Sequence, residues 1–507
     1  MREKKDVFFT KMEALGLALT FDEVILKTGY AEVMPDDISV ESRFSRNIPL
    51  KNPLVSAAMD RVTEAPMAIE MAKLGGLGII HGALAPKEQA SHVARVKFYM
   101  NGKIEKPITV RVNDVIEQIL KRREDKAYPF HSFLVLDDND RLVGLLTRND
   151  FEICSDMTLT AREVMTTELI TGVPGTTLDE AYEMMHRHKK KILPLINSDG
   201  RSAGMYVWSD VQRIKTGSSR MNNVDAKGQL RVGAAIGVGD EALERASLLA
   251  ANGVDVLVID TAHGDSKPVF ETLVRMVKEL KATFPSIDVV AGNISEGPSA
   301  RRLADAGADG IKVGQGPGSI CTTRVIAGIG CPQVTAVYNC VKAIEGSGIP
   351  TCADGGIQYS GDVTKAIAAG AHSVMIGSKL AGTKESPGTI ILWKNRQWKN
   401  YRGMGSMSAM LERKEARDRY KQVSSGKTEL IAEGIEGLVP YAGEVASVIY
   451  QFLGGLRRGM GYVGAASIPE LHEKADFYRI TKSGLDESHP HDVIITEEAP
   501  NYHRSES

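Results

Sequence analysis

Nowhere in the 507 residues do eighteen consecutive apolar residues occur, the length a helix needs to cross a bilayer. The first residues, Met1-Arg2-Glu3-Lys4-Lys5-Asp6, carry mixed charge without the apolar run of an export signal. Charge of one sign is missing as well: the formal net charge is −2, which argues against binding driven by neutralising the phosphates of a nucleic acid. Cysteine is scarce. The five residues (Cys154, Cys321, Cys331, Cys340, Cys352) are scattered without Cys-x-x-Cys spacing, so neither a disulfide framework nor a structural zinc site is expected. Nor is a Rossmann fingerprint read anywhere in the chain. Together these absences predict a cytoplasmic protein with no nucleic-acid and no membrane partner.

The chain that remains is 43% hydrophobic and 25% charged, ordinary for a globular protein and too long for one core. Two short apolar runs, Asn52 to Asp60 and Gly75 to His81, flank a helical pattern from Thr63 to Leu74, which reads as strand, helix and strand of a parallel sheet. Six more runs follow Ile214: Leu230–Ala235, Val256–Asp260, Asp288–Asn293, Ile311–Gly314, Ile349–Asp354 and Ser373–Gly377. Helical patterns separate them, among them Glu241 to Ala251, Lys267 to Phe284, Ser299 to Ala306 and Gly361 to Ala369. Two and six make eight, so the fold class expected is α/β, a (β/α)8 barrel. The segment Leu19 to Leu26 reads as an edge strand covering the barrel floor.

Between the second and third strands the rhythm changes. From 103 to 215 a weak internal repeat appears: Phe133 to Asp150 is echoed by Leu193 to Asp210, each a strand, a polar turn, a strand and a helix start. The expected organisation is therefore 1–102 and 216–507 for the barrel, with 103–215 inserted. The repeats resemble a tandem cystathionine-β-synthase (CBS) module, which in relatives binds regulatory adenine or guanine nucleotides. Gly144, Thr147 and Asp150 keep that motif in the first copy. Val207 stands in place of the threonine in the second, so Thr147 and Asp150 are the candidate nucleotide contacts.

The most informative stretch runs from Asp309 to Arg324. A short strand feeds a loop with Gly314, Gly316 and Gly318, then Ser319 and Cys321. Glycines let main-chain amides and carbonyls serve as ligands, and a cysteine at a loop-to-helix junction is a candidate nucleophile. A lone cysteine is more often a small buried hydrophobe. The string Gly-x-Gly-Pro-Gly-Ser-Ile-Cys-Thr-Thr, however, resembles the catalytic loop of the inosine-5′-monophosphate (IMP) dehydrogenase family, a loop shared with guanosine-5′-monophosphate (GMP) reductase.

That resemblance spans the chain from Leu19 to Tyr502 and implies a site residue by residue. Catalysis would fall to Cys321, Thr323, Arg419, Tyr420 and Glu433, with Arg419 and Tyr420 on a mobile flap spanning about 384–437. IMP would meet Ser319, Asp354, Gly355, Gly356, Gly377, Ser378, Tyr401, Arg402, Gly403, Met404, Gly405 and Glu433. NAD⁺ would lie against Asp260, Asn293, Gly314, Gln315 and Gly316. Potassium would be held by carbonyls of Gly316, Gly318 and Cys321, completed by Glu487, Ser488 and His489 of a neighbouring copy in a homotetramer. Two positions depart from the family pattern, Arg61 after Met59-Asp60 and Gln315 between the loop glycines. The implied reaction oxidises IMP to xanthosine monophosphate through a thioimidate on Cys321, a controlling step towards guanine nucleotides. The alternatives are an NADPH-dependent GMP reductase and an inactive nucleotide-sensing scaffold.

Overall fold

The computed structural model describes residues 2–99, 103–125, 128, 130–215, 221–412, 414–420, 429–497 and 499–502. Part of the expected flap, residues 413 and 421–428, lies outside them. Two compact units emerge, one formed by residues 1–93 and 232–507, the other by 94–231.

The first unit is a closed barrel of eight parallel strands: β1 (Leu54–Ser56), β2 (Leu77–Ile80), β3 (Gly233–Ile236), β4 (Val256–Asp260), β5 (Asp288–Ile294), β6 (Gly310–Val313), β7 (Thr351–Asp354) and β8 (Ser373–Ile376). Each pairs in parallel with the next, and β8 closes on β1. Apart from Asp354, every strand residue is buried. Interior on one face and helices on the other leave no wet side, which explains the unbroken apolar runs. The connecting helices begin within two residues of the expected starts, at Ala65, Lys267 and Gly297, with Pro66, Pro268 and Pro298 in first turns, positions where a missing N–H costs nothing. The Lys267 helix continues through a π turn at Met276–Leu280 to Thr283.

The barrel floor is not built from the segment expected. Val24–Leu26 pairs antiparallel with Phe477–Arg479 and packs on the helix Ser360–Ala369. The hairpin Ser42–Ser45/Ile48–Leu50 instead lies under β5 to β8, with Phe44 fully buried. Ser45 Oγ and Asn47 N donate to Asp288 Oδ2 at 2.6 and 2.7 Å, stitching the hairpin to the start of β5. Burial of a phenylalanine contributes roughly 1.5–3 kcal/mol, and Phe44 lacked an alternating partner pattern to announce it. Gly459-Met460-Gly461-Tyr462-Val463-Gly464 has dinucleotide-motif spacing, but it falls at the C-terminal end of the helix Val445–Val463, so it is no strand-to-helix phosphate turn.

The second unit carries the repeat in its folded form. Phe133–Leu136 and Leu142–Leu146 pair antiparallel and lead into the helix Arg148–Ile153; Ile192–Ile196 and Ser202–Val207 do the same before Trp208–Lys215. Leu134, Leu145, Ile192 and Met205 from both copies share one apolar cluster.

Candidate active site

Strand ends set the site. The C-terminal ends of β4, β5, β6 and β7 deliver Asp260, Asn293, Gly314 and Asp354 to one cavity, which Cys321, Thr323, Tyr401, Met404, Arg419, Tyr420 and Glu433 also line. Gly316, Gly318, Gln315, Gly355 and Gly403 complete the wall. Residues from Ala57, just past β1, to Glu433 thus converge on one cavity, because parallel strands all finish at the same rim.

The cysteine loop is fixed from two sides. Gly314 N donates to Ile294 O at 2.8 Å, and a Cβ on Gly314, whose φ is +149°, would lie 2.1 Å from Asp354 O. Only glycine fits there. On the far side Thr322 N donates to Glu433 O at 3.0 Å and Ile435 N to Ile320 O at 2.9 Å, bracketing a bridge between Cys321 and Gly434. Glu433 N in turn donates to Gly405 O at 3.0 Å. The Cys321 thiol is partly exposed and donates to Thr323 Oγ1 at 3.2 Å. The helix that follows, Thr323–Ile326, is a single turn, so its dipole offers little help to a thiolate. Burial pushes the thiols of Cys331 and Cys352 up to about 11 and about 12 and raises Cys340 further. These three behave as small core residues.

Across the cavity, Arg419 Nη1 forms a close ion pair with Asp260 Oδ2. Burial lowers the Arg419 guanidinium from its ordinary value, opposed by Tyr420. Burial likewise raises the Tyr420 phenol, whose ring occupies the space a Cβ on Gly405 would need, at 2.5 Å.

Lys312, on β6 and 1% exposed, was not singled out from the sequence. Its Nζ reaches Asp354 Oδ2 at 2.6 Å, Asp260 Oδ1 at 2.9 Å and Asn293 Oδ1. A charged residue in a strand otherwise reading as buried (Ile311-Lys312-Val313) was the available signal, because lysine is almost never fully buried unpaired.

Tyr401 stands in the cavity wall, and other predicted residues fall beside it. Tyr401, its phenol raised by burial, donates to Met59 Sδ at 3.6 Å, and a Cβ on Gly377 would meet its hydroxyl at 2.8 Å. Gly356 packs between Phe21 and Pro317, and Ser378 opens a short helix after β8. The Arg402 side chain turns to Asp60 Oδ2 (2.8 Å from Nε) and Glu412 Oε2 (2.7 Å from Nη2) rather than to the cavity. Gln315 is buried and satisfied, its Oε1 accepting from Ser295 at 2.7 Å and its Nε2 donating to Ala262 O at 3.2 Å. Arg61 Nε is buried without a hydrogen bond, 4.0 Å from Asp60. Glu487, Ser488 and His489 do not line the cavity; His489 Nδ1 lies 3.0 Å from the Tyr502 hydroxyl. Among the described residues no group of three or more His, Cys, Asp or Glu side chains could hold a metal ion.

In the second unit Thr147 N and Oγ1 both donate to Asp150 Oδ2, at 2.6 and 2.7 Å, as a helix cap.

A thiol, a carboxylate-bearing strand end and an arginine–tyrosine pair lining one cavity at the mouth of a parallel barrel define the class, a (β/α)8 enzyme. The IMP dehydrogenase / GMP reductase domain matches residues 18–491, and the chain belongs to that family. An inosine-5′-monophosphate dehydrogenase of Aquifex aeolicus is 48% identical over 96% of this chain and 97% of its own. That of Bacillus subtilis is 43% identical, covering 96% and 97%. A crystal structure of a GMP reductase variant from Trypanosoma brucei with guanosine 5′-monophosphate superposes with a TM-score of 0.83 at 34% identity, covering 95% of this chain and all of that one.

Proposed function

We propose that this chain oxidises IMP to xanthosine monophosphate with NAD⁺ as hydride acceptor, as an IMP dehydrogenase. The observation that carries the reading is the position of Arg419 and Tyr420 in the same cavity as Cys321, Asp354 and Glu433. Asp354 and Tyr401, with Ser319, Gly355, Gly356, Gly377 and Ser378, hold the mononucleotide; Met404, Gly405 and Glu433 lie against its purine. The Cys321 thiolate adds to C2 of the base, and C2 gives up its hydride, leaving a thioimidate on the sulfur. NAD⁺, when bound, supplies the acceptor for that hydride. Its fit rests on Asp260 at the cavity wall, whose carboxylate would accept from ribose hydroxyls, with Asn293, Gly314, Gln315 and Gly316 lining the same cavity.

The second half-reaction is hydrolysis. Arg419 and Tyr420 fill the region beside Asp260 once it is vacated, excluding bulk water while one water attacks C2. Arg419 is the proposed base for that water, with Thr323 and Glu433 as a second proton route. The proton leaves the water, the C–S bond breaks, and the thiol is regenerated. A reductive deamination has no such step, so an arginine–tyrosine pair in the cavity that the thiol lines favours the dehydrogenase over a GMP reductase. An inactive scaffold is disfavoured by the same convergence of Cys321, Thr323, Arg419 and Glu433.

Carbonyls of Gly316, Gly318 and Cys321 are the proposed potassium ligands, with Glu487, Ser488 and His489 arriving from a neighbouring copy in a homotetramer. Residues 103–215 are proposed to be a CBS module taking a regulatory nucleotide at Thr147 and Asp150, and the compartment to be cytoplasmic. The test is NADH production from IMP and NAD⁺, with and without K⁺, beside a Cys321→Ala control. Turnover of GMP with NADPH alone would overturn the assignment.

A further inference from the structure

Four charged side chains run in line through the barrel mouth. Arg419 pairs with Asp260, Asp260 Oδ1 stands 2.9 Å from Lys312 Nζ, and Lys312 Nζ lies 2.6 Å from Asp354 Oδ2. Asn293 Nδ2 also donates to Asp354 Oδ2, at 2.9 Å. Lys312 is therefore one buried cation shared by two carboxylates that face different ligands. With Arg419 docked the four charges sum to zero, whereas its departure leaves two carboxylates against one ammonium.

We infer that Lys312 is a positioning residue that couples docking of the 419–420 segment to the hold of Asp354 on the mononucleotide ribose. This rests on the reading of the cavity as an IMP site. When Arg419 satisfies Asp260, Lys312 is left to Asp354 and fixes its carboxylate. When Arg419 leaves, Asp260 draws the ammonium towards itself and Asp354 loosens, until a cationic group takes the place of Arg419. An oxidised pyridinium ring is such a group and a reduced one is not. The mouth thus favours the oxidised dinucleotide or the docked arginine, and disfavours an empty or reduced state.

The experiment is a double-mutant cycle read by calorimetric titration of IMP in the absence of dinucleotide, which needs no turnover. Arg419→Met is expected to weaken IMP binding about threefold to tenfold in the native background, within the range of coupling between side chains sharing a partner. In the Lys312→Met background the same change should have an effect below about 1.5-fold, while Lys312→Arg, which keeps the charge, should restore the coupling. Equal effects of Arg419→Met with and without Lys312 would overturn the inference. If Lys312→Met does not fold, the near-isosteric Asp260→Asn replaces it, since it cuts the same line at its next link; persistence of the Arg419 effect there overturns the inference equally. Absence of IMP binding to the unsubstituted protein would sink the active-site reading itself, and this inference with it.

Discussion

Two aspartates, one in each unit, illustrate how similar chemistry can be arranged for different ends. Asp150 in the insert takes the N–H and hydroxyl of Thr147 on one oxygen, with Thr166 Oγ1 3.3 Å from the other. It is a helix cap whose main needs are met within its own turn. Asp354 at the barrel rim receives Asn293 and Lys312 on Oδ2, and among the described residues nothing bonds its Oδ1. The cap is local and satisfied, whereas the rim carboxylate is held by distant strands and presents an open oxygen. Availability, rather than residue type, separates a ligand contact from a structural one.

The most severe test of that contrast is at the rim. Cys321→Ala should lower turnover by about 10³-fold or more and abolish the covalent purine adduct seen by intact-protein mass spectrometry, without changing the melting temperature of the barrel. Wild-type-like turnover in the variant would remove the rim's claim to chemistry. Arg419→Ala should reduce kcat by about 10²–10³-fold, yet leave a rapid-quench burst of NADH, because only hydrolysis is slowed; loss of the burst would place Arg419 before the hydride step.

Acid should separate the units as well. His372, just before β8, is pushed down to about 3 by burial, with His472 and Arg43 adding to the shift. The folded barrel keeps it neutral, while the unfolded imidazole takes a proton near 6.5. Its contribution is full above that pH and is lost as pH falls from about 6.5 to about 3, at up to about 1.4 kcal/mol per unit. In the insert, Glu163 and Glu180 are lowered by the backbone N–H groups of Thr160 and Thr177, so their contributions hold above the carboxylate range and fade only below it. Urea unfolding at pH 7, 6 and 5 should show a barrel slope that His372→Asn makes shallower by about one proton; an unchanged slope would show that another group titrates.

The smallest effect expected is that of Thr147→Ala. Loss of the hydroxyl's bond to Asp150 should cost about 1 kcal/mol of insert stability in denaturant melts, with barrel turnover unaltered. A large loss of nucleotide affinity at unchanged stability would instead make Thr147 a ligand contact and erase the contrast with Asp354.

Much of this was readable from one chain. Eight apolar runs alternating with helical patterns predicted the barrel, because parallel strands buried on both faces leave an unbroken signature. The repeat from Phe133 and Leu193 predicted paired hairpins. The site was legible only through the family resemblance of the loop around Cys321, since no generic motif spans residues from different strands. Phe44 as the floor of the barrel was missed because a hairpin that short has too few residues to show a period. Lys312 was missed because a single lysine among apolar neighbours does not say which carboxylates it will meet.

What the order of residues determined by itself was local: where strands and helices begin, which loop must be glycine, and which cysteine stands in it. What tertiary structure decided was company. Strand register and barrel closure brought Asp260, Lys312 and Asp354 within one ion-pair network, and docking of Arg419 against Asp260 put a guanidinium in the cavity that Cys321 lines. Coulombic partners depend on distance through space and not along the chain, so only the closed barrel could fix them.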